Sequence, residues 1–343
     1  MKRPNFSHPA LFRTVLAITL CITTWLSIRY GAVDVTLNEI FSAFKNYFSR
    51  TELDSLNERI IMTIRIPRAL LCIFVGATLS VGGVLLQALF RNPIIEPGLI
   101  GTSSGAAFGA ALYFVLGTTF QWHAGTWTLP VAACLGAILS TSLVFLLAPA
   151  TEKNQTITLL LVGIAINALF MSGVGFLSYL ARDPQARSIT FWGMGSLAGA
   201  SWNSVFIVGS VTVTGIILAL CYAKHLNALR LGEDEAWFLG VQIKHLKYII
   251  LLINIVMVSV ATAFVGVISF VGLITPHLLR ILTGSGHRYL ILNAALLGGI
   301  LLSVADIMAR LLCAPAELPI GILTSVVGVP IFIILLRQKK YPV

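Results

Sequence analysis

Apolar residues come in blocks along this chain, separated by short polar segments. Most blocks approach the roughly 20 residues that an α-helix needs to cross a bilayer core. They fall at about 10–30, 69–90, 99–118, 127–148, 157–180, 203–223, 248–268, 270–283, 290–311 and 320–337. The pattern predicts an all-α integral membrane protein of about ten spans, with residues 1–343 forming a single transmembrane domain. Two blocks are atypical: 270–283 is short, and 99–118 is rich in Gly, Ala and Ser. Pro276, Pro315, Pro319 and Pro330 are expected to interrupt the C-terminal spans. Broken helices are tolerated in a membrane where they are buried in protein or line a cavity. Gly76, Gly82, Gly83, Gly101, Gly105 and Gly109 permit close helix approach.

Three polar segments are long enough to have structure of their own. Residues 31–63 form an outer loop whose apolar positions recur at helical spacing, which predicts a short surface helix. Residues 181–202, with aromatic and small side chains, predict a short interfacial helix on the same side. Residues 224–247 form the largest segment on the opposite side. There Gly232 and Gly240 bracket Glu233, Asp234, Glu235, Ala236, Trp237, Phe238 and Leu239. An acidic first turn and a terminal glycine predict a helix of about two turns that exposes Trp237 and Phe238. Those aromatics suit either a partner's cleft or the bilayer headgroups.

Composition supports the membrane assignment. Hydrophobic residues make up 57% of the chain and charged residues 10%, against about 25% charged in soluble domains. The net charge of +10 is read by loop, not as a nucleic-acid footprint. Lys2, Arg3, Arg13, Arg91, Lys153, Lys224, Arg230, Lys244, Lys247, Arg280, Arg288, Arg337, Lys339 and Lys340 fall on one side, which places both termini in the cytoplasm. The first block reads as a retained helix, not a cleaved leader. Five scattered cysteines and six histidines show no metal-ligand spacing, and His277 reads as a packing residue. No phosphate-binding loop is present, no Ser/His/Asp set can be drawn and acids and histidines are scarce at membrane depth, so this chain is expected to bind no cofactor and to perform no catalysis.

Ionisable groups at the span ends are the remaining chemistry. Asp306 and Arg310 stand four apart and can pair along one helix face. Arg65 and Arg68 precede the second span at the same outer end. The three guanidiniums suit either carboxylates of an incoming protein or simple snorkelling. Gln87, Asn167, Thr324 and Ser325 are neutral polar groups within spans, suited to a path or to interhelical hydrogen bonds.

The stretch RIPRALL…GATLSVGGVLLQALFRNPIIEPGLIGTSSGAAFGA resembles the iron-chelate and cobalamin importer permeases, the membrane subunits of type II ABC importers. The resemblance continues through LLLVGIAIN, FWGMGSLAGASW, LRLGEDEAWFLGV, GVISFVGLITPHLLR and ADIMARLLCAPAELPIGILTSVVGVPIF, in the family's order. It implies the type II permease fold in a bacterial inner membrane, as a homodimer with two cytoplasmic ATPase subunits below and a periplasmic binding protein above. ATP and Mg would bind the ATPase, with lipid around the permease. Carried over by motif, Arg65, Arg68 and Arg310 would meet acids of the binding protein, and Leu231 to Gly240 would couple to the ATPase. Gln155, Thr156 and Ile157 would form the cytoplasmic gate, and the spans carrying Asn167, Thr324 and Ser325 would line the path. FWGMGSLAGASW and HLNALRLGEDEA look most like haem importers, with siderophore and then cobalamin permeases as alternatives. A stand-alone secondary transporter would instead need coupling acids at membrane depth, and Asp306 is the one candidate in a span.

Overall fold

The apolar blocks fold as helices in the computed structural model, which describes residues 9–31, 33–49, 55–119, 125, 127–148, 155–284, 286–314 and 316–337. In chain order they are α1 (Pro9–Arg29), α2 (Leu37–Phe48), and α3 (Leu56–Ile60), which runs through a π turn (Ile61–Arg65) into α4 (Ile66–Leu89). A 3-10 turn (Pro97–Ile100) leads to α5 (Thr102–Thr119), α6 (Thr128–Leu147), α7 (Gln155–Leu180) and α8 (Asp183–Gly193). Then come α9 (Trp202–Cys221), α10 (Ala223–Leu229), α11 (Glu233–Phe238), α12 (Ile243–Val265), α13 (Val271–Thr283), α14 (His287–Leu311) and α15 (Ile320–Arg337). No strand occurs among the described residues. Among the described residues, seven helices are long and apolar enough to span a membrane, and three shorter apolar helices fill the remaining expected positions. The second span begins earlier than the pattern predicted, because α3, the π turn and α4 form one helical run from Leu56.

The core is organised around α4, which packs on α14, α12, α13 and α9. Of the membrane-length stretch of α3 and α4, 83% is buried, against 22% in α1 and in α7. Lipid tails are as apolar as the side chains, so helices in a membrane associate by close packing. Here the packing is backbone on backbone. A Cβ on Gly76 would collide with the carbonyl of Gly298, and one on Gly83 with that of Gly272. The α5–α6 hairpin repeats the device, with Gly105 and Gly136 each set against the other's carbonyl oxygen.

The expectation that prolines interrupt the C-terminal spans is corrected at two positions. Pro276 lies within α13 and Pro330 within α15. A helical proline leaves the carbonyl four residues earlier without its usual donor. For Pro276 that carbonyl belongs to Gly272, and Gln87 Nε2 of α4 donates to it at 3.5 Å. Pro319 directly precedes α15, and Pro315 lies outside the described residues.

Residues 91–101, between α4 and α5, fold back into the bundle, with Ile95, Glu96, Pro97 and Ile100 buried. Non-helical backbone at such a place needs donors from its neighbours. Asn167 Nδ2 of α7 supplies the carbonyls of Gly98 (3.4 Å) and Leu99 (3.2 Å). The Glu96 carboxylate accepts from the backbone N–H of Phe270 (3.2 Å), the residue that caps α13. A carboxylate there is favoured by the helix dipole.

All three polar segments contain the expected helices. In 31–63, α2 opens with a capping box in which Glu39 Oε2 accepts from the Thr36 backbone (2.7 Å) and Thr36 Oγ1 accepts from the Glu39 backbone (3.4 Å). In 181–202, α8 is held at its start by the Arg182 N–H, which donates to Gln185 Oε1 at 2.8 Å. In 224–247, α10 and α11 lie at the opposite end of the bundle from Arg65, Arg68 and Arg310.

Candidate functional site

At one end of the bundle the three sequence-predicted arginines come together and turn inward: Arg65 is 5% exposed, Arg68 7% and Arg310 6%. Each has donors spread over a fork, and the structure uses them. Arg68 donates from Nε (3.0 Å) and Nη2 (2.9 Å) to Asp306 Oδ1, and from Nη1 to Glu317 Oε1 (2.9 Å). Arg310 Nη1 donates to the carbonyls of Ser27 (3.1 Å) and Tyr30 (2.9 Å), and Nη2 to Ser27 Oγ (2.8 Å). Arg65 donates to the carbonyls of Ile28 (2.7 Å), Arg29 (2.6 Å) and Val33.

Most of these acceptors are the last carbonyls of α1 and those just beyond it, which a helix leaves without internal donors. Two guanidiniums therefore cap α1 from α14 and from the π turn before α4. The expected Asp306–Arg310 pair is present, with Nε 3.0 Å from Asp306 Oδ2. That contact is Coulombic and not a directed hydrogen bond, because Oδ2 has no donor aligned with it and Nε points to the Asp306 backbone oxygen at 3.4 Å.

At the other end, α11 forms the expected short helix between Gly232 and Gly240. Gly232 has φ 142° and Gly240 φ 83°, regions that side chains disfavour. The C-terminus closes with two bonds, Val241 N–H to the Ala236 carbonyl (3.0 Å) and Gly240 N–H to the Trp237 carbonyl (2.9 Å). This is the Schellman arrangement. Ala236 is fully buried as the pivot, while Trp237 is 65% exposed and Phe238 78%. Leu231 and Leu239 are exposed beside them. Glu233 pairs with Lys247 Nζ of α12 at 2.9 Å, which fixes the helix start.

The remaining candidates fall on α7 and α15. Gln155, Thr156 and Ile157 open α7, with Ile157 exposed and the side chains of the other two outside the described residues. Asn167 is half-buried and, besides its bonds to segment 91–101, accepts from Ser104 Oγ (2.5 Å). Thr324 is buried and donates to the Gly321 carbonyl (3.2 Å), while Ser325 is half-buried. Lys2, Arg3, Lys153, Lys339 and Lys340 lie outside the described residues, and Arg337 ends α15.

Sequence reasoning assigned no role to Glu317, Glu96 or Phe270. Glu317 stands inside a quoted motif, but nothing in its spacing pointed to Arg68, 249 positions away. Phe270 has φ 69°, and its side chain fills the space above Gly328 of α15.

A family model described as the FecCD transport family matches residues 19–338. The hemin transport system permease protein of Yersinia pestis is 39% identical over 334 residues, covering 97% of each chain. The Fe(3+) dicitrate transport system permease protein of Escherichia coli (strain K12) is 36% identical over 281 residues, 82% of this chain and 86% of its own. A solved structure of a metal-chelate type ABC transporter in an inward-facing conformation superposes with a TM-score of 0.83 at 31% identity, over 95% of this chain and 99% of that one. With the helix order, the backbone-packed bundle and both end sites in place, the chain belongs to the FecCD transport family and is an ABC importer permease.

Proposed function

We propose that this permease moves a bulky iron chelate, haem, from the periplasm to the cytoplasm across a bacterial inner membrane, driven by ATP hydrolysis on a separate subunit. The observation that carries haem is the 39% identity to a hemin permease across 97% of both chains. A ferric chelate of siderophore type is the second reading, favoured by the ferric dicitrate relative.

Exposed surfaces support this assembly. Trp237 and Phe238 on α11 form a rigidly capped aromatic pair suited to a groove on a cytoplasmic ATPase. On α7, Ile157, Leu161, Ile164 and Met171 are exposed along one side, and α15 exposes Ile322, Val326 and Ile333. Two copies joined along these helices would enclose a path between them, with Asn167, Thr324 and Ser325 near it and Gln155 to Ile157 at its cytoplasmic end. The periplasmic binding protein docks at the arginine end, where Arg65 and Arg310 hold α1 and Arg68 has a carboxylate partner, Glu317, whose side chain is 40% exposed. ATP binding and hydrolysis change the spacing of the two α11 helices and bias the bundle between two packings.

The test is reconstitution of the permease in vesicles, alone and with its ATPase and binding protein, followed by uptake of haem and of ferric citrate. Haem accumulation that requires ATP and both partners is the expected result. Uptake by the permease alone removes the importer assignment, and uptake of ferric citrate without haem replaces the substrate.

A further inference from the structure

Arg68 is neutralised from two sides by carboxylates of different kinds. Asp306 has a side chain only 1% exposed and takes two bonds from the guanidinium. Glu317 has a side chain 40% exposed and takes Nη1, with both of its oxygens 2.9 Å from that nitrogen. The first partner is part of the core. The second lies on the segment between α14 and α15 and covers the outward side of an otherwise buried cation. We propose that Glu317 is a built-in occupant of Arg68, holding the position that a carboxylate of the docking protein takes over when the two proteins meet. This rests on the docking reading above and names its regulation.

Displacing Glu317 is a cheap exchange. A half-exposed carboxylate regains water when it leaves, so its pairing is worth little in the free protein. Arg68 meanwhile keeps Asp306 and is never left as a bare buried charge, the costly outcome. The incoming acid gains the same charge-assisted bond. While Glu317 occupies Nη1, only a fraction of permeases is open to the partner, and the apparent affinity falls by that fraction.

The segment is also wired to the path. Just beyond Glu317, Leu318 N–H bonds the Ala309 carbonyl of α14 (3.1 Å). Ile320 N–H bonds Gly195 (3.1 Å) and Gly321 N–H bonds Met194 (3.0 Å), beyond the end of α8. Glu317 thus stands three residues before α15, the helix that carries Thr324 and Ser325. Docking at the arginine end would reach α15 by this short route.

The experiment measures binding-protein affinity for the full permease–ATPase complex in lipid nanodiscs, for the unmodified chain and for E317Q, E317A and R68K. E317Q removes the competitor's charge and is expected to bind the partner about fivefold more tightly, the scale of an exposed ion pair. E317A gives the same direction and is read in place of E317Q if the latter fails to assemble. Unchanged or weaker binding in the assembled Glu317 variants overturns the proposal. R68K keeps a charge for Asp306 but loses the fork, and it is expected to weaken docking. If R68K and the Glu317 variants all leave affinity unchanged, docking at Arg68 itself is wrong. If R68K weakens it while the Glu317 variants do not tighten it, docking stands and the exchange falls.

Discussion

Arg68 and Asp306 lie 238 positions apart and share a forked bond, with Nε and Nη2 both donating to Oδ1 at 3.0 and 2.9 Å. The pair joins the start of α4 to the end of α14, the two helices whose glycines touch halfway along.

Removing Asp306 leaves Arg68 with Glu317 alone and Arg310 without a carboxylate. Truncating one member of a buried pair typically costs about 3–5 kcal/mol. D306A is expected to lower the melting temperature in detergent sharply, with D306N recovering part of the loss. A D306A protein as stable as the unmodified one would show that the network contributes nothing to folding.

Gly76 has the Gly298 backbone where a side chain would stand, and backbone cannot step aside. G76A is expected to reduce the folded yield in membranes, with a cost of at least the roughly 1–3 kcal/mol of overpacking. Gly175 on α7 has open space around it, so G175A serves as the control and is expected to be neutral for folding. Equal yields from the two would contradict the backbone-on-backbone packing.

Trp237 and Phe238 are exposed on a helix whose anchor is Ala236. Truncating both to Ala leaves that anchor and the Schellman closure intact, so the melting temperature should hold. ATPase recruitment should fall by about 30-fold or more, as expected for loss of a binding hot spot of about 2 kcal/mol. A pull-down of the ATPase with the double variant separates this from a bilayer-surface role, in which recruitment is unaffected.

Glu39 in the capping box of α2 is held below its usual value of 4.5, chiefly by the Thr36 backbone N–H and then by Asn57. Because the folded value is the lower one, Glu39's contribution to α2 is complete above about 4.5 and is lost as pH falls through the depressed value. Amide exchange around Ile40, corrected for intrinsic rates, should therefore accelerate on acidification in the unmodified chain. In E39A, which has no acceptor for the Thr36 N–H, the exchange should already be fast at neutral pH and show no such step.

The helices were legible because a span's length and apolarity are local properties, and each of the ten blocks has a helix at its place. The bracketed α11 was legible for the same reason, since two glycines and an acidic turn carry their meaning within nine residues. The arginine end was only half legible. Residue type marked Arg65, Arg68 and Arg310, but their inward direction depends on distant partners: carbonyls at the end of α1 for Arg65 and Arg310, up to 283 positions away, and Asp306 for Arg68, 238 positions away. Prolines misled because a break depends on whether a neighbour supplies the missing donor, as Gln87 does for Gly272. Glu96 went unread because its partner is a backbone N–H, which has no signature in sequence.

At Gly76–Gly298 and Gly83–Gly272 backbone meets backbone, so neither pair has a rotamer of its own with which to retune the approach. Such contacts suit α4, α13 and α14 to serve as the fixed frame of the bundle. The helices with the smallest buried share are α1 and α7, at 22% each, and α7 is the one of the two that carries candidate path residues. Spin labels on α4 and α14 should thus keep a constant separation through ATP turnover and supply the fixed frame against which displacement of α7 is measured.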